Sequence, residues 1–204
     1  MKTRIAVLVS GGGTNLQALI DAQSSGIITS GEIVLVVSNS AGAYALERAK
    51  KAGIDSCTLL KKELGSQAAF EHALQQKLEA AGIEVIILAG FMSILSGDFT
   101  DRWPRRILNI HPSLIPSFCG AGFYGLRVHR AALDYGVKVT GATVHYVNQI
   151  PDGGEIIAQK AVDILPGDTP EILQRRVMEQ AEWILLPKAA EQVCAEIAAQ
   201  KSKR

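Results

Sequence analysis

Cysteine is scarce in this chain, and neither a long apolar run nor an excess of charge of one sign is present. Cys57, Cys119 and Cys194 are odd in number and form no C-x-x-C pair, which favours reduced thiols over a disulfide framework or a zinc site. The net charge of +1 at pH 7 gives no general electrostatic reason to bind nucleic acid or a membrane. No segment reads as a signal peptide or a bilayer span. We therefore expect a cytoplasmic protein.

Length and composition favour one domain over residues 1–204. With 204 residues, 48% of them hydrophobic, the chain can bury a sizeable core. No internal repeat or linker is evident. The basic tail over residues 201–204 is expected to be a frayed, solvated end.

Aliphatic runs alternate with helical patterns along the first half of the chain. Strands are predicted at residues 4–10, 33–38, 56–60, 85–89 and 106–111. Helices are predicted at residues 16–23, with Thr14 or Asn15 as the cap, and at 43–51, 63–81 and 127–135. This alternation predicts a mostly parallel, Rossmann-like α/β sheet with helices on both faces.

The C-terminal part departs from this alternation. Residues 139–147 and 155–162 are two extended segments joined by a turn, which predicts an antiparallel addition to the sheet. A last helix is predicted to begin with a capping-box-like pattern at Asp168 and to bend at Pro187.

Asn109 and His111 are the strongest catalytic candidates. They occupy positions i and i+2 of the extended run 106–111, so both side chains leave the same face of the strand. Pro112 cannot continue a central strand, so the imidazole of His111 is left at the carboxyl end, where open α/β sheets bind ligands. The alternative is that both are satisfied polar groups of the core.

A glycine-rich loop, Gly-Gly-Gly-Thr-Asn, occupies residues 11–15. It allows close approach of the backbone and directs helix N–H groups at a ligand, as phosphate binding requires. It is not a dinucleotide fingerprint, because the sixth position is Leu16 and no acidic residue ends the second strand. A single phosphate site is predicted, with a tight strand-to-helix turn as the alternative.

Asp152 follows Pro151 and precedes two glycines between two predicted strands, a position that turn chemistry alone can explain. Among the histidines, His72 and His129 fit solvated or packing roles. His145 fits either a satisfied core histidine or a partner of the catalytic residues. No two histidines have a spacing that makes a metal site compelling, and Ser113 lacks the elbow of a nucleophilic serine.

Four segments together carry a resemblance to a known family. They are Ser-Gly-Gly-Gly-Thr-Asn-Leu at 10–16, Leu-Ala-Gly-Phe-Met at 88–92, Asn-Ile-His-Pro-Ser-Leu-Ile-Pro at 109–116, and Asp-Gly-Gly at 152–154. Over nearly its whole length the chain resembles the folate-dependent phosphoribosylglycinamide formyltransferases of purine biosynthesis. The resemblance implies transfer of a formyl group from 10-formyltetrahydrofolate to the glycinamide amine of a phosphoribosyl substrate.

The resemblance also implies residue roles, with small molecules as the only partners, no metal, and a homodimer left open. The implied catalytic residues are Asn109, His111 and Asp152. The implied substrate-binding residues are Gly13, Thr14 and Asn15 at the phosphate, Glu182 at the ribose after a one-residue shift in the last helix, and Gly90 and Pro112. The implied folate-binding residues are Met92, Ser93, Ile94 and Leu95 at the pterin, together with Asn109.

The chain departs from the family pattern at the folate end. Ser93 stands where relatives often carry a basic residue, and Gln67 stands where an arginine would meet the glutamate tail. Lys61 or Lys62 could substitute. The glycine-rich segment 119–125 is expected to be a flap over the phosphoribosyl site.

The residues also support a chemical argument. An amine that attacks a formyl carbon creates a negative oxygen and a positive nitrogen. The Asn109 amide can donate to the oxyanion, and protonated His111, favoured by Asp152, can supply a proton.

Three rival functions remain open. Methionyl-tRNA formyltransferases are longer chains with an additional RNA-contacting domain. Formyltetrahydrofolate deformylases transfer the group to water and normally carry a regulatory domain. A non-catalytic nucleotide-binding module would use the glycine loop alone.

Overall fold

A computed structural model describes residues 1–202, which fold around one seven-stranded sheet. The strands are β1 (Thr3–Val9), β2 (Gly31–Ser38), β3 (Asp55–Thr58), β4 (Val85–Leu88), β5 (Ile107–His111), β6 (Val139–Tyr146) and β7 (Ile156–Asp163). The helices are α1 (Thr14–Ser24), α2 (Tyr44–Lys51), α3 (Lys61–Leu64), α4 (Gln67–Ala80), α5 (Gly97–Thr100), α6 (Leu126–Tyr135), α7 (Pro170–Val177) and α8 (Trp183–Lys201). A π-helical turn, Met178–Glu182, joins α7 to α8.

The strand order is β3-β2-β1-β4-β5-β6-β7. The first five strands are parallel, and β6 is antiparallel to both of its neighbours. The predicted α/β sheet with an antiparallel C-terminal addition is confirmed. The chain runs from β1 toward one edge and from β4 toward the other, so a topological switch point lies between these two strands, where open α/β sheets bind ligands.

Side chains of β1 alternate between two cores. Ile5 and Val7 pack into a core formed with α1, α7 and α8, whereas Ala6 and Leu8 pack into a second core formed with α4 and α5. A sheet that is covered on both faces needs apolar residues at every position, which explains the unbroken aliphatic run from residue 5 to residue 9.

Two helix boundaries correct the sequence predictions. Thr14 and Asn15 lie inside α1, and the N-cap is Gly13 in a left-handed conformation with φ 71°. The single helix predicted over residues 63–81 is wrong, because Gly65 ends α3 with φ 81° and Ser66 caps α4 by accepting from the Ala69 N–H at 3.1 Å.

The last helix also differs from its prediction. Its cap is Thr169, which accepts from the Ile172 N–H, because the Asp168 carboxylate is paired with Arg176. Pro187 lies inside α8, where the bend stays a prediction, and a π-helical turn precedes that helix.

At the C-terminal end, the basic tail falls partly outside the described residues, namely at 203–204. Lys201, its first residue, is paired with Glu84 through atoms 2.6 Å apart, so this residue is not frayed. All three cysteines are free thiols, as predicted. Across residues 1–202, no helix combines the length and apolarity that a membrane crossing needs.

Candidate active site

A cavity of about 650 Å³ opens at the carboxyl ends of β4 and β5. Asn109 and His111 reach it from β5, and the loop after β4 forms another wall. The π-helical turn closes one side and the glycine-rich segment 120–125 covers part of the opening. The sheet topology therefore brings four sequence segments that are far apart in the chain to one site beside the switch point.

Ten of the thirteen residues to which the resemblance gives site roles line this cavity. They are Asn15, Gly90, Met92, Ser93, Ile94, Asn109, His111, Pro112, Asp152 and Glu182. Three others do not. Leu95 is buried in the core of α4 and α5, Thr14 lines a neighbouring cavity between α1 and α8, and Gly13 packs against α2. Each role assigned to these residues stays a prediction.

Asn109 is held by a histidine on the neighbouring strand. Asn109 and His145 face each other in the β5–β6 register, and the Asn109 Nδ2 lies 3.1 Å from the His145 Nε2. The His145 Nδ1 lies 2.8 Å from the Tyr146 carbonyl oxygen, so its N–H donates there. We assign the proton to Nδ1 on this ground. In the neutral ring Nε2 accepts from the amide of Asn109. The same Nε2 lies 3.5 Å from the Asp152 Oδ1, to which it donates only when the ring is protonated.

His111 is buried and contacts two groups. Its Nε2 donates to the Phe118 carbonyl oxygen at 2.9 Å, and its Nδ1 lies 3.5 Å from the Asp152 Oδ2. The side chain of His111 is only 5% exposed. The imidazole therefore sits between the Phe118 carbonyl and the Asp152 turn, and a ligand reaches its Nε2 only by replacing that carbonyl.

Asp152 satisfies both the turn interpretation and the site interpretation. Its φ of 54° is a left-handed conformation that Asp and Asn adopt more readily than most residues. Its Oδ2 accepts from the Gly120 N–H at 2.8 Å, and its Oδ1 lies 3.5 Å from the Asn109 Nδ2. The carboxylate thus joins the flap to the two candidates on β5.

Burial and charge shift the pKa values at this site in opposite directions. Burial lowers the pKa of His111, and the raising effects of Asp152 and the Phe118 carbonyl compensate only in part. Asp152 thus favours protonated His111, as the sequence predicted, but desolvation dominates. For Asp152, burial acts to raise the pKa, yet contacts with His145, His111 and the Gly120 N–H hold it below its ordinary value.

Hydrogen bonds to its carbonyl oxygens hold the glycine loop in place. Ala45 N–H donates to the Gly11 oxygen at 3.1 Å, and Gln17 N–H donates to the Gly13 oxygen at 2.9 Å. A Cβ at Gly13 would lie 2.6 Å from the Ala45 Cβ. This glycine is therefore required both for its positive φ and for the close approach of the loop to α2.

Glu182 points into the cavity from the π-helical turn and is 6% exposed. Its Oε2 accepts from the Asn15 Nδ2 at 2.7 Å, and burial raises its pKa to about 7. A π-helical turn holds one residue more than an α-helical turn of the same rise. Such a turn is compatible with the one-residue shift by which Glu182 was assigned to the ribose, and that role stays a prediction.

The loop after β4 presents Met92 and Ile94, which are 55% and 66% exposed. The Ser10 hydroxyl accepts from the Met92 N–H at 2.8 Å, and the Ser93 hydroxyl accepts from the Asn39 amide at 2.7 Å. Gln67 donates to the Ile94 carbonyl oxygen at 3.1 Å. Gln67 thus reaches the predicted pterin segment, although it cannot supply a positive charge to a glutamate tail.

Sequence reasoning did not give the roles of Phe118 and Gly120 at this site, because each acts through a backbone group that any residue carries. His145 was left open as a core or partner residue, and the register with Asn109 identifies it as the partner. His129 is fully buried in α6 and also lines the cavity, so it is not solvated, and its packing role stays a prediction. Among residues 1–202, no cluster of three or more His, Cys, Asp and Glu side chains is placed to hold a metal ion.

Comparisons of this sequence with known proteins agree on one family. The family model described as "Formyl transferase" matches residues 3–189. The trifunctional purine biosynthetic protein adenosine-3 of Gallus gallus is 47% identical over 194 residues, which are 95% of this chain and 19% of that protein. The phosphoribosylglycinamide formyltransferase of Haemophilus influenzae is 43% identical over 90% of this chain and 84% of its own length.

Solved structures agree with the sequence comparison. The glycinamide ribonucleotide transformylase 1 of Symbiobacterium toebii superposes with a TM-score of 0.89 at 44% identity, covering 96% of this chain and 89% of that one. The chain belongs to the formyl transferase family. It spans about a fifth of the length of the trifunctional relative from Gallus gallus.

Proposed function

We propose that this chain transfers the formyl group of 10-formyltetrahydrofolate to the amine of 5'-phosphoribosylglycinamide in purine biosynthesis. The observation that carries the proposal is the convergence of Asn109, His111 and Asp152 in one cavity that also holds Glu182. The nearby glycine loop adds a phosphate site, which neither hydrolysis of the folate nor transfer to RNA would need. The names of the relatives from Haemophilus influenzae and Symbiobacterium toebii support the same substrate.

Each part of the two substrates can be matched to groups of the protein that suit its chemistry. The free N–H groups at the start of α1 suit the phosphate, and the Glu182 carboxylate suits ribose hydroxyls as an acceptor. Gly90 and Pro112 line the same cavity as the catalytic candidates, where the glycinamide would bind. The exposed Met92 and Ile94, with Ser93, suit the face of a pterin ring, and no metal is required.

The reaction begins when the glycinamide nitrogen attacks the formyl carbon, and the carbonyl electron pair moves to oxygen. The second N–H of the Asn109 amide makes only a 3.5 Å contact to Asp152, so it is available to donate to this oxyanion. An ordered water on Asp152 accepts the proton of the attacking amine. The tetrahedral centre then collapses: the carbonyl re-forms, with any proton taken from His111 returned to it, and the bond to the folate nitrogen breaks. That nitrogen takes up the proton of the amine through the same water.

His111 acts as the proton donor in this proposal. Its Nε2 hydrogen is bound to the Phe118 carbonyl in the structure, and the formyl oxygen takes the place of that carbonyl. Phe118, the residue directly before the flap, must therefore move before His111 contacts substrate. Phe118 has a φ of 49°, and Gly120 and Gly122 have φ of 86° and 91°, so this segment is built from unusual backbone conformations.

A formyl-transfer assay tests the proposal. Purified protein is given 10-formyltetrahydrofolate with and without phosphoribosylglycinamide, and formylated product and free formate are measured separately. Formylated product that requires the phosphoribosyl substrate is expected. Formate without an acceptor would indicate a deformylase, acceptance of methionyl-tRNA would indicate that transferase, and binding without turnover would indicate a non-catalytic module. Three expectations from the sequence stay predictions, namely one domain over residues 1–204, a cytoplasmic location and a homodimer.

A further inference from the structure

Arg48 is the charged side chain that reaches the glycine loop from α2. Its Nε donates to the Gly12 carbonyl oxygen at 2.8 Å, and its Nη1 donates to the Gln17 Oε1 at 3.0 Å. The guanidinium also stacks on the Tyr44 ring, with 5.1 Å between its carbon and the ring centroid. Three contacts therefore fix a side chain that would otherwise be a flexible surface arginine.

The contact to Gly12 completes a pattern in the loop. The carbonyl groups of Gly11 and Gly13 are bound by N–H groups of Ala45 and Gln17, so Arg48 engages the one carbonyl between them. Ala45 and Arg48 stand at positions i and i+3 of α2 and thus share one face of that helix. All three glycine carbonyl oxygens are directed at α1 or α2, and none is left to face a bound anion.

We propose that Arg48 is a positioning residue for the substrate phosphate. By holding the Gly12 carbonyl against α2, it keeps the loop in the conformation whose N–H groups converge on an anion. Without this bond, a rotated peptide would present a carbonyl oxygen to the phosphate, which is repulsive. The inference rests on the proposed function, since it assigns the phosphate of that substrate to this loop.

The test compares a phosphorylated ligand with its dephosphorylated counterpart. Binding of phosphoribosylglycinamide and of the corresponding glycinamide riboside is measured by calorimetry in the wild type and in Arg48→Met. We expect Arg48→Met to weaken the phosphorylated ligand about 10-fold, the loss typical of one hydrogen bond from a charged donor. The affinity for the riboside and the KM for the folate should stay unchanged, with kcat within about twofold.

Two further variants separate positioning from charge. Lys51→Met removes the same charge from the same helix, where Lys51 lies 5.8 Å from the same Tyr44 ring but makes no bond to the loop, and it should leave phosphate affinity unchanged. Arg48→Lys keeps the charge without the planar fork, and it should remain weaker than the wild type. Full rescue by lysine, or an equal loss in Lys51→Met, would overturn the positioning role.

The outcomes also distinguish this inference from the proposed function. Equal loss of the phosphorylated and dephosphorylated ligands in Arg48→Met would mean a general structural role and would overturn the inference alone. A wild type that binds both ligands equally would remove the phosphate site itself, and the role of Arg48 with it. Retained folate affinity in Arg48→Met shows that the variant is folded.

Discussion

Asn109 and His145 lie opposite each other on antiparallel strands, and the amide of the first donates to the ring of the second at 3.1 Å. Because the other ring nitrogen of His145 donates to the Tyr146 carbonyl, the neutral His145 ring accepts from Asn109 at Nε2. His145 thereby orients the Asn109 amide, one N–H of which donates to the histidine ring. The second N–H lies toward Asp152 and the cavity, where the proposed oxyanion would form.

Asn109→Ala is expected to lower turnover about 10²- to 10³-fold, the usual loss for an oxyanion donor. Steady-state kinetics should show a much smaller change in affinity for the phosphoribosyl substrate. His145→Leu should lower turnover less, because the amide remains but is no longer oriented. Lost substrate affinity with normal turnover in Asn109→Ala would make Asn109 a binding residue only.

His111→Ala should leave a folded protein and lower turnover about 10²- to 10⁴-fold, the contribution expected of a positioned proton donor. A matched control is His72→Ala, because His72 is exposed on α4 and lies away from the cavity. Circular dichroism checks folding. Turnover near that of the wild type in purified His111→Ala would exclude this residue from the mechanism.

Asp152→Asn keeps a residue that tolerates the left-handed conformation but removes the charge. Since Asp152 raises the pKa of His111 against the lowering effect of burial, the pKa of His111 should fall further in the variant. The limb of the pH profile that requires protonated His111 should then move toward acid, with lower activity at neutral pH. An NMR titration of His111 measures the shift, and an unmoved pKa with full activity would leave Asp152 as a turn residue.

Gly13→Ala and Gly12→Ala form a matched pair in the glycine loop. A Cβ at Gly13 would meet Ala45 at 2.6 Å in a backbone of positive φ, whereas a Cβ at Gly12 would meet nothing within 4 Å. Gly13→Ala should therefore lose phosphoribosyl binding while folate binding persists, and Gly12→Ala should be milder. Calorimetry with each ligand decides the matter, and equal loss of both ligands in Gly13→Ala would indicate a misfolded loop.

His129 should make the fold sensitive to acid. Burial, followed by the influence of His111, lowers its pKa from the ordinary 6.5 to about 4. Between these pH values the unfolded chain binds a proton that the folded chain does not. The free energy of unfolding should fall by about 3 kcal/mol as the pH drops through this window, with no further loss from this group below it. Urea denaturation of the wild type and of His129→Gln measures it, with the exposed His72→Gln as control. An identical pH dependence in wild type and His129→Gln would contradict the assignment.

The position of Asn109 and His111 at a strand end could be predicted from residues 106–112, because strand alternation and the proline stop depend on neighbours in the chain. Helix ends were less predictable. Gly65 divides a helical pattern that continues on both sides of it. Asp168 is paired with Arg176 and does not cap the last helix. The end of a helix depends on which of two competing local interactions is the more stable. The local sequence does not show which one that is, because other parts of the fold contribute to the balance.

The sequence by itself determined the α/β alternation, the strand-end site and the glycine loop, since each follows from the periodicity and conformational limits of a few consecutive residues. Only the tertiary structure decided that Asn109 is bound by His145, 36 residues away, and that Glu182 is buried against Asn15, 167 residues away. It also decided that the Phe118 carbonyl covers His111. These contacts depend on strand register and on burial, and both arise only when the sheet and its helices have packed together.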